Sequence, residues 1–212
     1  MSLVRAFPEA SGGVAQLDLG TLPDYEVIEL ADLERFRAKV AKVSEIEPRG
    51  YFVGSAALRI WMDQANLPVP AEVSGDIDIA LVSKKLRDSG VTHTDMDGFT
   101  LDRFGMTRED ARPEHFTETL YHGNNIRIAR LPRLYSYKYR EHLGSPVDIG
   151  LLEIAPDELN ENEREFAFKT LLYLRLYSKL VDPKALNRYV EILARSGDYR
   201  DRNVARFMSR DR

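Results

Sequence analysis

The segment Asp76-Ile77-Asp78-Ile79-Ala80-Leu81-Val82 constrains this chain more than any other, because it alternates acids with aliphatic residues and then turns wholly apolar. A β-strand sends successive side chains to opposite faces. Asp76 and Asp78 therefore share one face, and Ile77, Ile79 and Leu81 share the other. The aliphatic face needs a core to cover it. The acidic face carries two carboxylates roughly 6–7 Å apart. These repel each other and are costly to desolvate unless a cation lies between them. Mg²⁺, or Mn²⁺ in its place, suits that spacing. Such a hard ion binds one or two carboxylates, keeps waters and takes its remaining ligands from phosphate oxygens.

Upstream, Tyr51-Phe52-Val53 is a short β-rich run that closes on Gly54, and residues 56–64 read as a helix starting there. A glycine leading from strand to helix lets the backbone approach a phosphate, whose charge the helix N-terminus stabilises. Ser55 adds a small hydroxyl donor. Together the two segments describe a pocket for a metal-chelated polyphosphate. An Asp-x-Asp alone is more simply an edge strand with its polar face in water. Its coupling to Gly54-Ser55 favours the site.

Spacings of three and four at Leu33, Phe36, Val40 and Val43 predict an amphipathic helix over residues 31–43. Residues 69–75 hold a proline and a glycine and read as a connection. Residues 99–104 and 116–121 look like strands separated by the charged stretch 107–114. Residues 125–129 form another strand after the His122-Gly123-Asn124 turn. Ser145-Pro146-Val147-Asp148 has the pattern of a helix start. Residues 166–180 make a strongly apolar helix, and Pro183 separates it from an amphipathic one over 184–194. The expected organisation is an irregular arm over 1–30, an α+β domain with a mixed sheet flanked by helices over 31–155, and a C-terminal helical segment with a basic tail over 156–212.

The pair Phe52-Val53-Gly54-Ser55 and Asp76-Ile77-Asp78-Ile79 resembles the signature of the DNA-polymerase-beta-like nucleotidyltransferase superfamily. Within it, the chain looks most similar to AbiEii-type toxins and minimal prokaryotic nucleotidyltransferases. The stretch Tyr121-His122-Gly123-Asn124-Asn125-Ile126-Arg127-Ile128-Ala129, followed by Leu131, Leu134 and Lys138, resembles the strand-and-helix element in which such proteins carry a lysine. The likeness covers residues ~50–155. It implies that Asp76 and Asp78 chelate the metal, that Gly54, Ser55 and Lys138 meet a nucleoside triphosphate, and that a third carboxylate completes the catalytic set. Asp102, on the strand 99–104, is favoured for the third acid. Asp148 is the alternative, at the end of a hairpin built from Tyr135 to Arg140, where tyrosines alternate with polar residues. The chemistry implied is transfer of a nucleoside monophosphate from an NTP to a hydroxyl or phosphate acceptor. The toxin of a toxin–antitoxin pair is the role implied, with tRNA or a protein as acceptor and an antitoxin as partner. Alternatives are a degenerate nucleotide-binding or interaction module of the same fold, and an adenylyltransferase of the type that inactivates antibiotics.

Composition sets outer limits. With no cysteine the chain has no disulfide and no thiolate site. No apolar run reaches the roughly 20 residues of a membrane span, and the first residues lack the apolar stretch of a secretory signal, so a cytoplasmic protein is expected. A net charge of −4 does not advertise a large nucleic-acid footprint. The six arginines between Arg195 and Arg212 read as a solvated, frayed tail. His93, His115, His122 and His142 show no metal-ligand spacing.

Overall fold

The computed structural model describes residues 25–73, 75–143 and 161–210. They fall into two units, one spanning Asp24–Leu134 and the other taking the described residues from Tyr135 onward. The first unit is a mixed sheet with helices. It runs α1 (Leu30–Ile46), β1 (Tyr51–Phe52), α2 (Gly54–Gln64), β2 (Ile77–Val82), α3 (Lys84–Ser89), β3 (Thr92–Met96), β4 (Phe99–Met106), β5 (Phe116–Tyr121) and β6 (Asn124–Ala129). The six strands lie in the order β3-β4-β2-β1-β6-β5. Strand β2 is parallel to β4 and antiparallel to β1, and β1 is parallel to β6. The edges close with antiparallel hairpins, β3 on β4 and β5 on β6.

Register explains which face is buried. Ile77 lies opposite Leu101, Phe52 opposite Ile79, and Phe52 also beside Ile128. All five are fully buried, so the aliphatic half of each alternating strand forms one continuous floor. Helix α2 packs against β2 and α1 against β6. They contribute Phe36, Val40 and Val43 from α1 and Ala56, Ala57, Leu58, Ile60 and Met62 from α2. Asp78, one residue out of phase with Ile77 and Ile79, belongs to the other face.

Strand β3 and helix α3 were not anticipated, although Asp97-Gly98 is a recognised hairpin signal. Met96 and Phe99 pair directly, and Asp97 (φ 39°) and Gly98 (φ 81°) between them both adopt the positive φ of a type I′ turn. His122 (φ 44°) and Gly123 (φ 85°) close the β5–β6 hairpin in the same way.

Helix α4 (Leu131–Leu143) begins in the first unit and continues in the second. The expected hairpin over Tyr135 to Arg140 is therefore corrected to a helix. Tyrosines two apart on a strand would share a face, yet Tyr135 is 5% exposed and Tyr137 53%. The three- and four-residue spacing of Leu131, Leu134, Tyr135 and Lys138 sets the structure instead. The second unit continues with α5 (Glu161–Leu180), α6 (Pro183–Ala194) and α7 (Tyr199–Arg210). Asp182 caps α6 by accepting from the Ala185 N–H at 3.0 Å, with Pro183 at its first position. The arginine-rich end is not a frayed tail up to Arg210. Val204, Ala205 and Met208 bury one side of α7, and Arg140 reaches Asp198 (3.0 Å) and Asp201 (3.3 Å) at its start. The expected helix start at Ser145 lies outside the described residues.

One buried ion pair ties the first unit together. Asp63, at the C-terminal end of α2, accepts from Arg37 Nε (2.9 Å) and Nη2 (2.6 Å) on α1, and from the Tyr121 hydroxyl (2.7 Å). His122 Nε2 lies 3.1 Å away, and since a carboxylate can only accept, the ring nitrogen donates. Burial alone would raise the Asp63 pKa. The four hydrogen bonds it accepts outweigh that and hold it at about 2; the bond to Asp63 raises the pKa of Arg37, and burial, then the bond to Asp63, raises that of Tyr121. A group whose pKa is lower in the folded state contributes stability above its unfolded value of 3.8. This contribution, about 2 kcal/mol, should fade as pH falls from about 4 towards 2. Arg37→Met leaves the buried carboxylate without its guanidinium partner, and urea unfolding at pH 7 should show a loss of about 3 kcal/mol.

His115, between β4 and β5, is pushed down to about 4, chiefly by burial and then by the Arg133 charge. From its ordinary value of 6.5 down to about 4 the unfolded chain binds more protons here than the native one, so stability falls as the solution is acidified. His115→Gln should flatten that part of a stability-versus-pH profile measured by urea unfolding.

Candidate functional site

The strand-to-helix turn brings Gly54 onto Asp78. The Val53 N–H donates to the Asp78 carbonyl at 3.0 Å, locking the end of β1 to β2. Gly54 then turns into α2 at φ +57°, a conformation that L side chains rarely adopt. A Cβ placed on Gly54 would overlap Oδ2 of Asp78. The glycine is thus required twice, by its backbone angle and by the carboxylate against its Cα. Val53, at the N-cap of α2, supplies no side-chain cap, and the first helical bond runs from the Ala57 N–H to the Val53 carbonyl. The Asp78 carboxylate accordingly lies beside a helix N-terminus, where the aligned peptide dipoles favour negative charge. Ser55 sits half-buried in the first turn.

Asp102 occupies the position in β4 directly paired with Asp78 in β2. Neighbouring strands run roughly 4.8 Å apart, so these two acids are closer in the sheet than Asp76 and Asp78 are along the chain. Both are half-buried. On its other side Asp102 pairs with His93 of β3, whose Nδ1 lies 2.7 Å from Oδ1. Across three adjacent strands the row therefore reads His93, Asp102, Asp78. Asp76 stands just before the first residue of β2 and is exposed. Lys138 belongs to the second unit, where its ammonium lies 4.9 Å from the centre of the Tyr173 ring. Asp148 lies outside the described residues.

Farther along the same face, Ala80, Tyr51, Arg127 and Glu118 pair in sequence across β2, β1, β6 and β5. Arg127 donates to Glu118 at 3.0 Å and stands 5.6 Å over the Tyr51 ring, which in turn contacts Phe116 at 4.5 Å. Beside Gly75 a cavity of about 390 Å³ opens against α1, lined also by residues 26–29, Ala71 and Arg59 of α2. Its wall mixes Glu26, Glu29 and Asp32 with Arg35, Lys39 and Arg59, so its charge selects neither an anion nor a cation.

Sequence reasoning missed His93 and Asp63. For His93 the available signal was the Asp97-Gly98 turn, which places residues 92–96 against β4. For Asp63 there was none, because its partners lie on α1 and at the far end of β5.

The donor chemistry suits a hard divalent cation: carboxylate oxygens from Asp76, Asp78 and Asp102, with a glycine cradle against one of them. Among the described residues no three His, Asp or Glu side chains already converge as a metal cage. Mg²⁺ does not need one, since it is commonly bound by one or two carboxylates with phosphate oxygens and water completing its shell.

No family model and no curated protein matches this chain. Among solved structures it is similar to an antigenic nucleotidyltransferase-like protein from Paracoccidioides brasiliensis, with a TM-score of 0.40 and 10% identity over 87% of this chain and 95% of that one. At that level no property of that protein is carried over. Among the described residues no helix is long and apolar enough to cross a membrane.

Gly54→Ala should cost at least about 1–2 kcal/mol in urea unfolding from its backbone angle alone. Overlap with Asp78 adds to that. Gly98→Ala, also at positive φ but with open space around it, supplies the backbone cost alone. Equal losses in the two variants would remove the steric link between Gly54 and Asp78.

Proposed function

We propose that the first unit is a metal-dependent nucleotidyltransferase, moving a nucleoside monophosphate from an NTP to a hydroxyl or phosphate acceptor. The observation that supports this most is the contact between Gly54 and the Asp78 carboxylate, with Asp102 in register beside it. A strand-to-helix glycine, a helix N-terminus and paired acids meet at one place. That place suits a triphosphate whose charge is shared between peptide N–H groups and a cation.

In this reading Asp76 and Asp78 hold Mg²⁺ or Mn²⁺. Gly54 and Ser55 present the first-turn N–H groups of α2 and a hydroxyl to the phosphates. Asp102 accepts the proton of the attacking hydroxyl or orients it, which its place beside Asp78 allows. Bound there, the cation would neutralise charge developing on the transferred phosphoryl group. Asp148 is the alternative third acid. The AbiEii-type resemblance adds a toxin role with tRNA or a protein as acceptor, which co-expression with a neighbouring small gene would test.

The enzyme should transfer label from at least one α-³²P nucleoside triphosphate in the presence of Mg²⁺ or Mn²⁺. Asp78→Asn should lower the rate by about 100- to 1,000-fold, the scale of losing several kcal/mol of charge stabilisation. Transfer unchanged in Asp78→Asn would end the metal-centred reading. Nucleotide binding without transfer to any acceptor would mark the chain as a binding module instead.

A further inference from the structure

We propose that His93 is a positioning residue for Asp102, an inference that rests on the nucleotidyltransferase reading of the Asp78 and Asp102 pair. His93 and Asp78 are the two cross-strand partners of Asp102, one on each side. The His93 contact, at 2.7 Å, is at the short end for a nitrogen donor and a carboxylate oxygen. It engages Oδ1 and leaves Oδ2 as the oxygen available for an incoming group.

The arrangement has a physical purpose. Two carboxylates in register on neighbouring strands repel each other, and an aspartate side chain can relieve this by rotating away. The imidazole sets the Asp102 rotamer from the side opposite Asp78, so the carboxylate stays in the row. Hydrogen-bond partners behind metal-site and catalytic carboxylates typically contribute 10–100-fold to metal affinity or activity. Edge strand β3 thereby gains a role beyond closing the sheet. His93 itself is largely exposed, with 71% of its side chain accessible against 22% for Asp102, so its removal leaves no cavity.

Two measurements test this. The first is Mn²⁺ binding, followed by the loss of the free-ion paramagnetic resonance signal in the presence of a non-hydrolysable triphosphate analogue. His93→Ala should weaken binding about 10- to 100-fold. His93→Asn, whose amide can donate to Asp102, should recover most of it, and Asp95→Asn on the same strand should leave it unchanged. Wild-type affinity in His93→Ala, or no recovery in His93→Asn, overturns the proposal. If the wild type and Asp78→Asn bind Mn²⁺ alike, the metal-centred reading fails first and this inference goes with it. The second is the His93 ring tautomer by long-range ¹H–¹⁵N NMR, which needs no activity. The proton should sit on Nδ1 in the wild type and move to Nε2 in Asp102→Ala. The same tautomer in both excludes the hydrogen bond in solution.

Discussion

The buried carboxylate of Asp63 is the constraint on which the first unit depends. A lone charge at that depth would be ruinous, so α1 must deliver Arg37 and the β5–β6 hairpin must deliver Tyr121 and His122 to the same point. That requirement orients α1, α2 and one edge of the sheet together. Helix α2 is 11 residues long and rises roughly 1.5 Å per residue. Holding its C-terminal end at Asp63 therefore sets where its N-terminal end, Gly54, meets β2. The left-handed backbone of His122 belongs to the same device, since the tight turn brings its ring to Asp63.

At the other end of α2 the local electrostatics are balanced by the fold. Asp78 gains from a helix N-terminus against its carboxylate, and Asp102 gains from a histidine donor. Two like charges on adjacent strands are thus each compensated from outside the pair. An arginine does serve elsewhere on that face, where Arg127 bonds Glu118 and covers Tyr51.

Much of the first unit was legible because its signals are local. The phase of Asp78 against Ile77 and Ile79 gave the strand and its two faces, and Gly54 marked the strand-to-helix turn. The helices at α1 and α6 followed from three- and four-residue spacing, and α5 from its apolar run. Where the reading went astray, two periodicities competed. Tyrosines at 135, 137 and 139 mimic a strand, and only the burial of Tyr135 with exposure of Tyr137 decides for a helix. The arginines after residue 195 disguised an amphipathic helix because their charge outweighs the small apolar stripe of Val204, Ala205 and Met208. Strand β3 is polar on both faces, so its hydrophobic pattern is silent and only its turn announces it.

The sequence by itself determined the alternation that puts Asp78 on a face of its own, the strand-to-helix turn at Gly54, and the absence of cysteine chemistry. Each follows from residue type and phase along one segment, where geometry is set by bonds a few residues apart. Tertiary structure alone decided that Asp102 stands beside Asp78, that His93 backs it, and that Asp63 is buried among four donated hydrogen bonds. Those facts depend on strand order and register, β4 beside β2 and β3 beside β4, which arise from covering one apolar floor as a whole.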